Sequence, residues 1–425
     1  MGIRVDTAAL AALADVRLGW PYKGFPTRYD GRTVAELIAA RPALAELATP
    51  LLVIEAAAVE HNVETMARFC AARGVDLAPH VKTAMAPQLV ARQLAAGAWG
   101  VSAATIAQVR VFRAFGVDRV VLANELVDPD ALAWLAAEMH RRPTFRPVCF
   151  VDSVNGVRTM RAVLAAVQPP RPLDVVVELG APAGRAGCRD ADAADAVARE
   201  VAGSGWLRLV GAGGFEGALA QDRSALGVAA VRTYLRELRD LVLRLDRSGL
   251  FGAADEILAT AGGSAYFDDV ADILGGIGRL SRRVRVVLRS GAYVLHDDGH
   301  YREVTPLQGP EGFRPALRIR GRVLSMPEPG LALLDFGKRD VSFDLGLPVP
   351  RTVTRTDGSV ERLDGCTVTT LADQHAFLSY GIGERLAVGD VVSCGVSHPC
   401  TALDKWRLIP VVDGDRVVDV IRTFF

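Results

Sequence analysis

The sequence is poor in lysine: only Lys23, Lys82, Lys338 and Lys405 stand among 49 basic residues, the rest being arginine. A guanidinium stays protonated, whereas an amine with an accessible neutral form can make a Schiff base. Each remaining lysine is therefore a candidate for amine chemistry, although Lys23 reads as an ordinary surface residue. Charge of either sign is not in excess, with 49 basic against 49 acidic residues and a pI near 7.1. That balance excludes the electrostatic footprint of a general nucleic-acid or anionic-membrane binder. The six cysteines contain no CxxC pair and are too few for a disulfide framework in 425 residues. No uncharged apolar run reaches the roughly 18 residues that read as a membrane span, and the N-terminus lacks a signal-peptide layout. The expectation is a soluble, cytoplasmic protein with neither a membrane nor a nucleic-acid partner. No GxGxxG follows the first apolar run, which argues against an open dinucleotide-binding sheet.

Short apolar runs then alternate with amphipathic stretches. The runs are residues 51–55, 76–80, 99–102, 119–123, 147–152, 173–180, 207–215 and 256–263, and the stretches between them carry apolar residues at three- and four-residue spacings. Helix-start chemistry such as Asp128-Pro129 and Asp152-Ser153, and glycines at 74, 97 and 116, punctuate them. Eight strand–helix units predict an α/β fold of the (β/α)8 TIM-type barrel class over residues 49–280. Beyond residue 280 the runs are β-like and separated by Gly, Pro and Asp turns, which predicts a β-rich domain over 281–425. Residues 1–48 read as an extension packed on one of the two domains.

Chemistry in such a barrel sits where strands end. The second run exits into Ala78-Pro79-His80-Val81-Lys82-Thr83, where apolar neighbours favour a neutral, nucleophilic amine. The sixth exits into a glycine-spaced loop, residues 180–187, around Arg185. The eighth exits into Ala261-Gly262-Gly263-Ser264-Ala265-Tyr266, whose small residues let backbone N–H groups approach an anion. A reactive lysine across from a phosphate cradle describes pyridoxal 5′-phosphate. In the β-rich domain, Ser397-His398-Pro399-Cys400 places an imidazole and a thiolate two residues apart, a donor pair suited to Zn²⁺ with positions left open. His375 in the same domain is either a further ligand or an ordinary turn residue.

Together these pieces resemble the fold-type III pyridoxal-phosphate enzymes, and within them the metal-dependent branch of D-serine dehydratase, D-threonine aldolase and D-serine deaminase-like proteins. The likeness runs from about Thr49 to Phe425. Besides the segments quoted, it is carried by the run Gln93 to Gly100, by Leu288-Arg289-Ser290-Gly291-Ala292-Tyr293 and by Asp404-Lys405-Trp406-Arg407. The resemblance implies that Lys82 carries the cofactor and that Gly262, Gly263, Ser264 and Tyr266 contact its phosphate. It places His80 among the cofactor contacts, Arg185 near the phenolic oxygen, and Arg289 or Tyr293 near the pyridine nitrogen. His398 and Cys400 would hold the divalent metal, Zn²⁺ or Mn²⁺, and the protein would be a homodimer acting on a D-amino acid. Two departures bear on the reaction: Lys82-Thr83-Ala84-Met85 lacks the histidine that aldolases carry there, and Phe215 stands after the seventh run where a histidine is frequent. The His-x-Cys pair is the dehydratase-like version. The implied reaction is loss of water from a D-serine-like β-hydroxy amino acid to a 2-oxo acid and ammonia. The alternatives are retro-aldol cleavage to glycine and an aldehyde, or a non-catalytic cofactor carrier.

Overall fold

The computed structural model describes residues 5–182, 184–381, 383 and 385–425; Ala183, in the loop around Arg185, lies outside them. The amphipathic segments become helices because their first turns find acceptors. Thr105, Asp128, Ser153, Asp190 and Ser224 each accept the N–H of the residue three positions on, satisfying one of the donors a helix start leaves open. Gly74 ends the helix Ala56–Arg73 at φ 62°, a left-handed conformation that glycine adopts without steric cost.

Nine strands form in the first two thirds of the chain: β1 Leu51–Glu55, β2 Asp76–Leu77, β3 Val101–Ala103, β4 Arg119–Glu125, β5 Arg146–Val151, β6 Leu173–Leu179, β7 Leu207–Gly214, β8 Ile257–Ala261 and β9 Val284–Leu288. Eight of them form the parallel sheet β2-β9-β8-β7-β6-β5-β4-β3. Its two ends meet at a parallel bridge between His80 and Ser102, where the Trp99 N–H donates to Leu77 O at 2.7 Å and the Ser102 N–H to Pro79 O at 2.9 Å. The barrel is therefore the expected one with a different membership. β1 is not in it: it pairs antiparallel with β10 (Leu317–Glu328) and parallel with β17 (Leu408–Asp413). β9, beyond the expected boundary at 280, takes the eighth place. The physical reason is that a run such as Leu51-Leu52-Val53-Ile54, buried throughout, fits any two-sided sheet interior, and its partners lie far along the chain. Lys82 thus follows the first barrel strand, the Gly262 loop the seventh, and Arg289 the eighth.

The other strands are β11 Leu331–Leu334, β12 Val349–Thr354, β13 Val360–Arg362, β14 Cys366–Leu371, β15 Ala376–Tyr380, β16 Val391–Gly395 and β18 Arg416–Arg422. The second sheet runs β13-β12-β16-β10-β1-β17-β18, with β11, β15 and β14 continuing from β10. The extension lies on this sheet: Leu18, Phe25, Tyr29, Val34, Leu37 and Leu47 pack against Leu51, Val53, Leu408, Val412, Val417 and Val420. Each such fully buried side chain contributes about 1.5–3 kcal/mol. Lys23 is no stray surface residue. Its Nζ lies 2.8 Å from the buried Asp340 carboxylate and 4.1 Å from the centre of the buried Trp406 ring, pinning the extension to the β-rich domain.

Candidate active site

A cavity of about 320 Å³ opens where the barrel strands end, and Cys400 of the β-rich domain closes part of its wall. From the end of β2 the chain runs through Ala78-Pro79-His80 into a single tight turn, Val81–Thr83, which aims Lys82 into this space. Burial holds the Lys82 amine below its ordinary pKa; the Cys400 thiol opposes this, and the guanidinium groups of Arg185 and Arg289 add to it. A larger share of neutral amine makes Lys82 both a nucleophile and a base. His80 also lines the cavity, and burial first, then the charges of Lys82, Arg289 and Arg185, hold it well below the usual histidine range. It is a neutral imidazole at pH 7.

The anion end of the cavity differs from the sequence expectation. Gly262 and Gly263 line it, but their N–H groups already donate to the two carboxylate oxygens of Glu216, at 2.9 and 2.6 Å. Glu216 is fully buried just after β7, so these two donors shape the loop and are not free for a phosphate. Donors remain close by: the N–H groups of Ser264, Gly291 and Ala292 and the Ser264 hydroxyl line the cavity and make no hydrogen bond within the described residues. Gly291 is required sterically, since a Cβ there would lie 2.3 Å from His80 O. A phosphate fits this cradle of backbone donors around a position only glycine can occupy.

Tyr266 and Tyr293, expected at the cofactor, both place their hydroxyls on partners within the protein. The Tyr266 hydroxyl donates to Asp222 O, and Tyr293 is buried behind the wall, accepting a 2.8 Å bond from Gln93 Nε2 and packing on Phe313. Neither lines the cavity. The period of a short segment does not reveal which side of a loop a phenol takes, and each hydroxyl found a partner in the protein. Arg289 does line it, held by bonds from Nη1 to Thr260 Oγ1 at 2.7 Å and from Nη2 to Gly214 O at 2.6 Å. Arg185 stacks over Phe215 at 4.4 Å and forms no ion pair among the described residues. Glu178, at the end of β6, was not singled out from sequence. Burial and its neighbour Glu125 raise its pKa to about 8, so it enters the cavity as a neutral acid at pH 7. Asn124 and Tyr301 are further lining residues that no sequence pattern marked.

The His398–Cys400 pair stands on the other side. His398 Nδ1 lies 2.7 Å from Asp344 Oδ2, and Thr401 Oγ1 bonds Asp344 Oδ1 at 2.6 Å. A carboxylate on one ring nitrogen orients the other nitrogen as a metal donor. Burial would lower the His398 pKa, but hydrogen bonds and charges from Cys400 and Asp344 outweigh it and lift it to about 9. A proton held between a thiol and a carboxylate marks a position where positive charge is favoured, so the donor set suits a divalent ion. Among the described residues no third His, Cys, Asp or Glu joins the pair, and His375 lies exposed in the turn between β14 and β15, away from the cavity. The Asp344 support was missed in the sequence because it lies 54 residues before His398.

A family model, "Alanine racemase, N-terminal domain", matches residues 54–302, more than half of the chain, and a second, "Putative serine dehydratase domain", matches residues 316–412. The chain belongs to this family, the fold-type III pyridoxal-phosphate enzymes, in its D-serine dehydratase-like branch. Among characterised relatives, it is 28% identical to D-threonine aldolase of Arthrobacter sp over 89% of this chain and 92% of that protein. It is 27% identical to 3-hydroxy-D-aspartate aldolase of Paracoccus denitrificans over 76% of this chain and 81% of the relative. Among solved structures, D-threonine aldolase from Filomicrobium marinum superposes with a TM-score of 0.74 at 23% identity, covering 90% of this chain and 97% of the other. That likeness shows the shared fold. Among the described residues, no helix is long and apolar enough to cross a membrane.

Proposed function

We propose that the protein is a lyase, dependent on pyridoxal phosphate and a divalent metal, that removes water from a D-β-hydroxy amino acid to give a 2-oxo acid and ammonia. The observation that carries this reading is the position of Cys400: it lines the same cavity as Lys82, is 3.3 Å from Thr83 Oγ1, and sits beside His398. Support comes from the relatives, which by name act on D-threonine, 3-hydroxy-D-aspartate and, in a dehydratase 33% identical over 119 residues, D-threo-3-hydroxyaspartate. That dehydratase has solved histidine-to-alanine and cysteine-to-alanine mutants, the latter in a metal-free form, at positions two residues apart as His398 and Cys400 are.

Lys82 would hold pyridoxal phosphate, with Ser264, Gly291 and Ala292 at its phosphate, and the group would supply an electron sink for the α-carbon. The Lys82 amine, free once the substrate's own amine has displaced it, would take the α-proton at Nζ, helped by its lowered proton affinity. A metal on His398 and Cys400 would supply Lewis-acid chemistry at the β-oxygen. Neutral His80 and neutral Glu178 leave Arg185 and Arg289 as the cations that draw the substrate carboxylate and the cofactor's oxygens. Zn²⁺ suits the imidazole–thiolate pair, with Mn²⁺ as the second candidate.

Retro-aldol cleavage to glycine and an aldehyde is the second reading, favoured by the near full-length likeness to a D-threonine aldolase. It needs a base at the β-hydroxyl, and neither Ala84-Met85 nor Phe215 offers one. Product analysis with a panel of D- and L-β-hydroxy amino acids separates the readings. Ammonia and a 2-oxo acid from D-forms alone, lost in a chelator, is the expected result; glycine and an aldehyde would replace it with the second reading. The same reading carries a homodimeric assembly, and a monomer by light scattering would remove that part.

A further inference from the structure

The opposite end of the barrel holds a second cavity, of about 310 Å³. Its wall is made by the starts of the strands: Arg146 and Val148 of β5, Arg208 and Val210 of β7, Glu256 and Leu258 at β8, with Arg119 at the start of β4 and Arg283 just before β9. Residues two apart on a strand share a face, so these pairs point into the barrel interior and the charged members crown an apolar layer. The acids here are already engaged. Asp174 accepts two bonds from Arg208, at 2.6 and 3.1 Å, and Asp255 lies 3.1 Å from the same guanidinium. Glu256 and Asp76 pair with Arg285.

Among the described residues, Arg119, Arg146 and Arg283 form no ion pair. Arg119 donates to Trp99 O and stacks on the Trp99 ring at 4.6 Å, and Arg146 reaches only the carbonyls of Pro143 and Phe145. Among the described residues, the Arg283 side chain makes no hydrogen bond. Neighbouring Arg171 leaves its Nη1 buried with no partner. Burial, then Arg285, lowers the proton affinity of Arg119, with the Glu256 and Asp76 carboxylates opposing; burial, then Arg146, lowers that of Arg171, with Asp174 opposing. Those carboxylates are already paired with Arg208 or Arg285, and an anion placed between the remaining guanidinium groups would relieve the repulsion that is left.

We propose that the N-terminal mouth of the barrel is a second ligand site, which binds the phosphoryl group of a small phosphorylated molecule between Arg119, Arg146 and Arg283. Phosphate is favoured over carboxylate by the layout. The three guanidinium groups come from three separate strand starts, so they suit a tetrahedral group with oxygens in several directions, while a planar carboxylate engages one fork at a time. The site is at the far end of the strands from Lys82 and does not depend on the reaction proposed above.

Calorimetric titration of the cofactor-loaded enzyme with pyrophosphate, at ionic strength matched with chloride, tests this. ADP and citrate serve as parallel arms. Saturable binding of pyrophosphate is expected, with the visible spectrum of the lysine-bound cofactor unchanged, and the Arg146→Gln/Arg283→Gln double variant should bind on the order of tenfold more weakly per guanidinium removed. Pyrophosphate and ADP binding alike would identify the phosphoryl group as the feature read; pyrophosphate alone would assign the site to inorganic phosphates. The proposal fails if none of the three anions binds, if citrate binds as well as pyrophosphate, if the double variant binds as tightly as the parent, or if binding displaces the cofactor spectrum.

Discussion

The same eight strands end in two different ways. At their starts they carry long charged side chains that ring the barrel mouth and partly pair with one another: Arg208 holds Asp174 and Asp255, and Arg285 holds Glu256 and Asp76. At their ends they carry small ones. Gly213 and Gly214 close β7, Ala259 and Ala261 close β8, and Gly262 and Gly263 follow, the last two lining the cavity. At Gly214 a Cβ would collide with the Tyr234 hydroxyl at 1.8 Å, and that hydroxyl bonds Leu179 O at 2.6 Å. The starts are braced by ion pairs, and the ends carry the reactive lysine with small residues around it.

The contrast breaks most visibly if the cavity end can be altered without loss of chemistry. Lys82→Ala should remove the visible absorption of the bound cofactor and cut turnover by about 10²–10⁴-fold or more, the range for losing a positioned base. Cys400→Ala should cut turnover as far while keeping that absorption. Both are read from a spectrum and an ammonia assay on the same preparation, and a Cys400 variant without the absorption band would move Cys400 from the metal to the cofactor.

Asp344 sharpens the division further, because it supports a ligand without being one. Asp344→Asn keeps the shape but weakens the charge on His398 Nδ1, and metal affinity should fall about 10–100-fold. Excess metal should then restore activity, which a merely misfolded variant would not show. At the opposite mouth, Arg208→Ala strips two bonds from Asp174, whose side chain is 9% exposed. It should cost about 1–3 kcal/mol in denaturant unfolding with kcat unchanged; a fall in kcat at constant stability would show that the two ends are coupled.

Between the ends and the β-rich domain lies His296, in a left-handed conformation at φ 48° and packed 5.8 Å from Phe313. Burial lowers its pKa to about 4, with Asp298 opposing and Arg302 assisting, against about 6.5 in an unfolded chain. The folded state therefore resists the proton. The contribution is fully present above pH 6.5 and is lost as the pH falls toward 4, by up to about 3 kcal/mol. Asparagine tolerates the left-handed region and does not titrate, so the stability gap between parent and His296→Asn should narrow from pH 7 to pH 4.5. A gap independent of pH would show that His296 titrates alike in the folded and unfolded protein, and one that widens toward pH 4.5 that the fold favours its charged form.

Much of this was legible in the sequence where local chemistry decides it. Caps, glycine stops and alternating apolar runs give the barrel, and the scarcity of lysine isolates Lys82. What escaped has one cause: contacts set by distant chain. Leu51–Glu55 reads as a barrel strand until its partners at 317–320 and 411–412 are known. Asp344 behind His398 and Glu216 under the Gly262 loop leave no local signature. Glu216 is the instructive case, because small residues at 262–264 correctly signalled backbone donors, but a carboxylate from the previous strand end had already taken two of them.

The smallest expected effect tests that lesson. If Tyr266 touched the phosphate, Tyr266→Phe would weaken cofactor binding by removing a bond to a charged group, at about 1.5–3 kcal/mol. With its hydroxyl on Asp222 O instead, the substitution removes one neutral hydrogen bond of about 1 kcal/mol in stability. It should leave the cofactor dissociation constant unchanged, because the ring still fills its buried place between the seventh barrel strand and the helix Phe267–Gly275. Equilibrium dialysis against pyridoxal phosphate distinguishes the two: a tenfold loss of affinity would return Tyr266 to the cavity, and an unchanged constant leaves the phosphate to Ser264, Gly291 and Ala292.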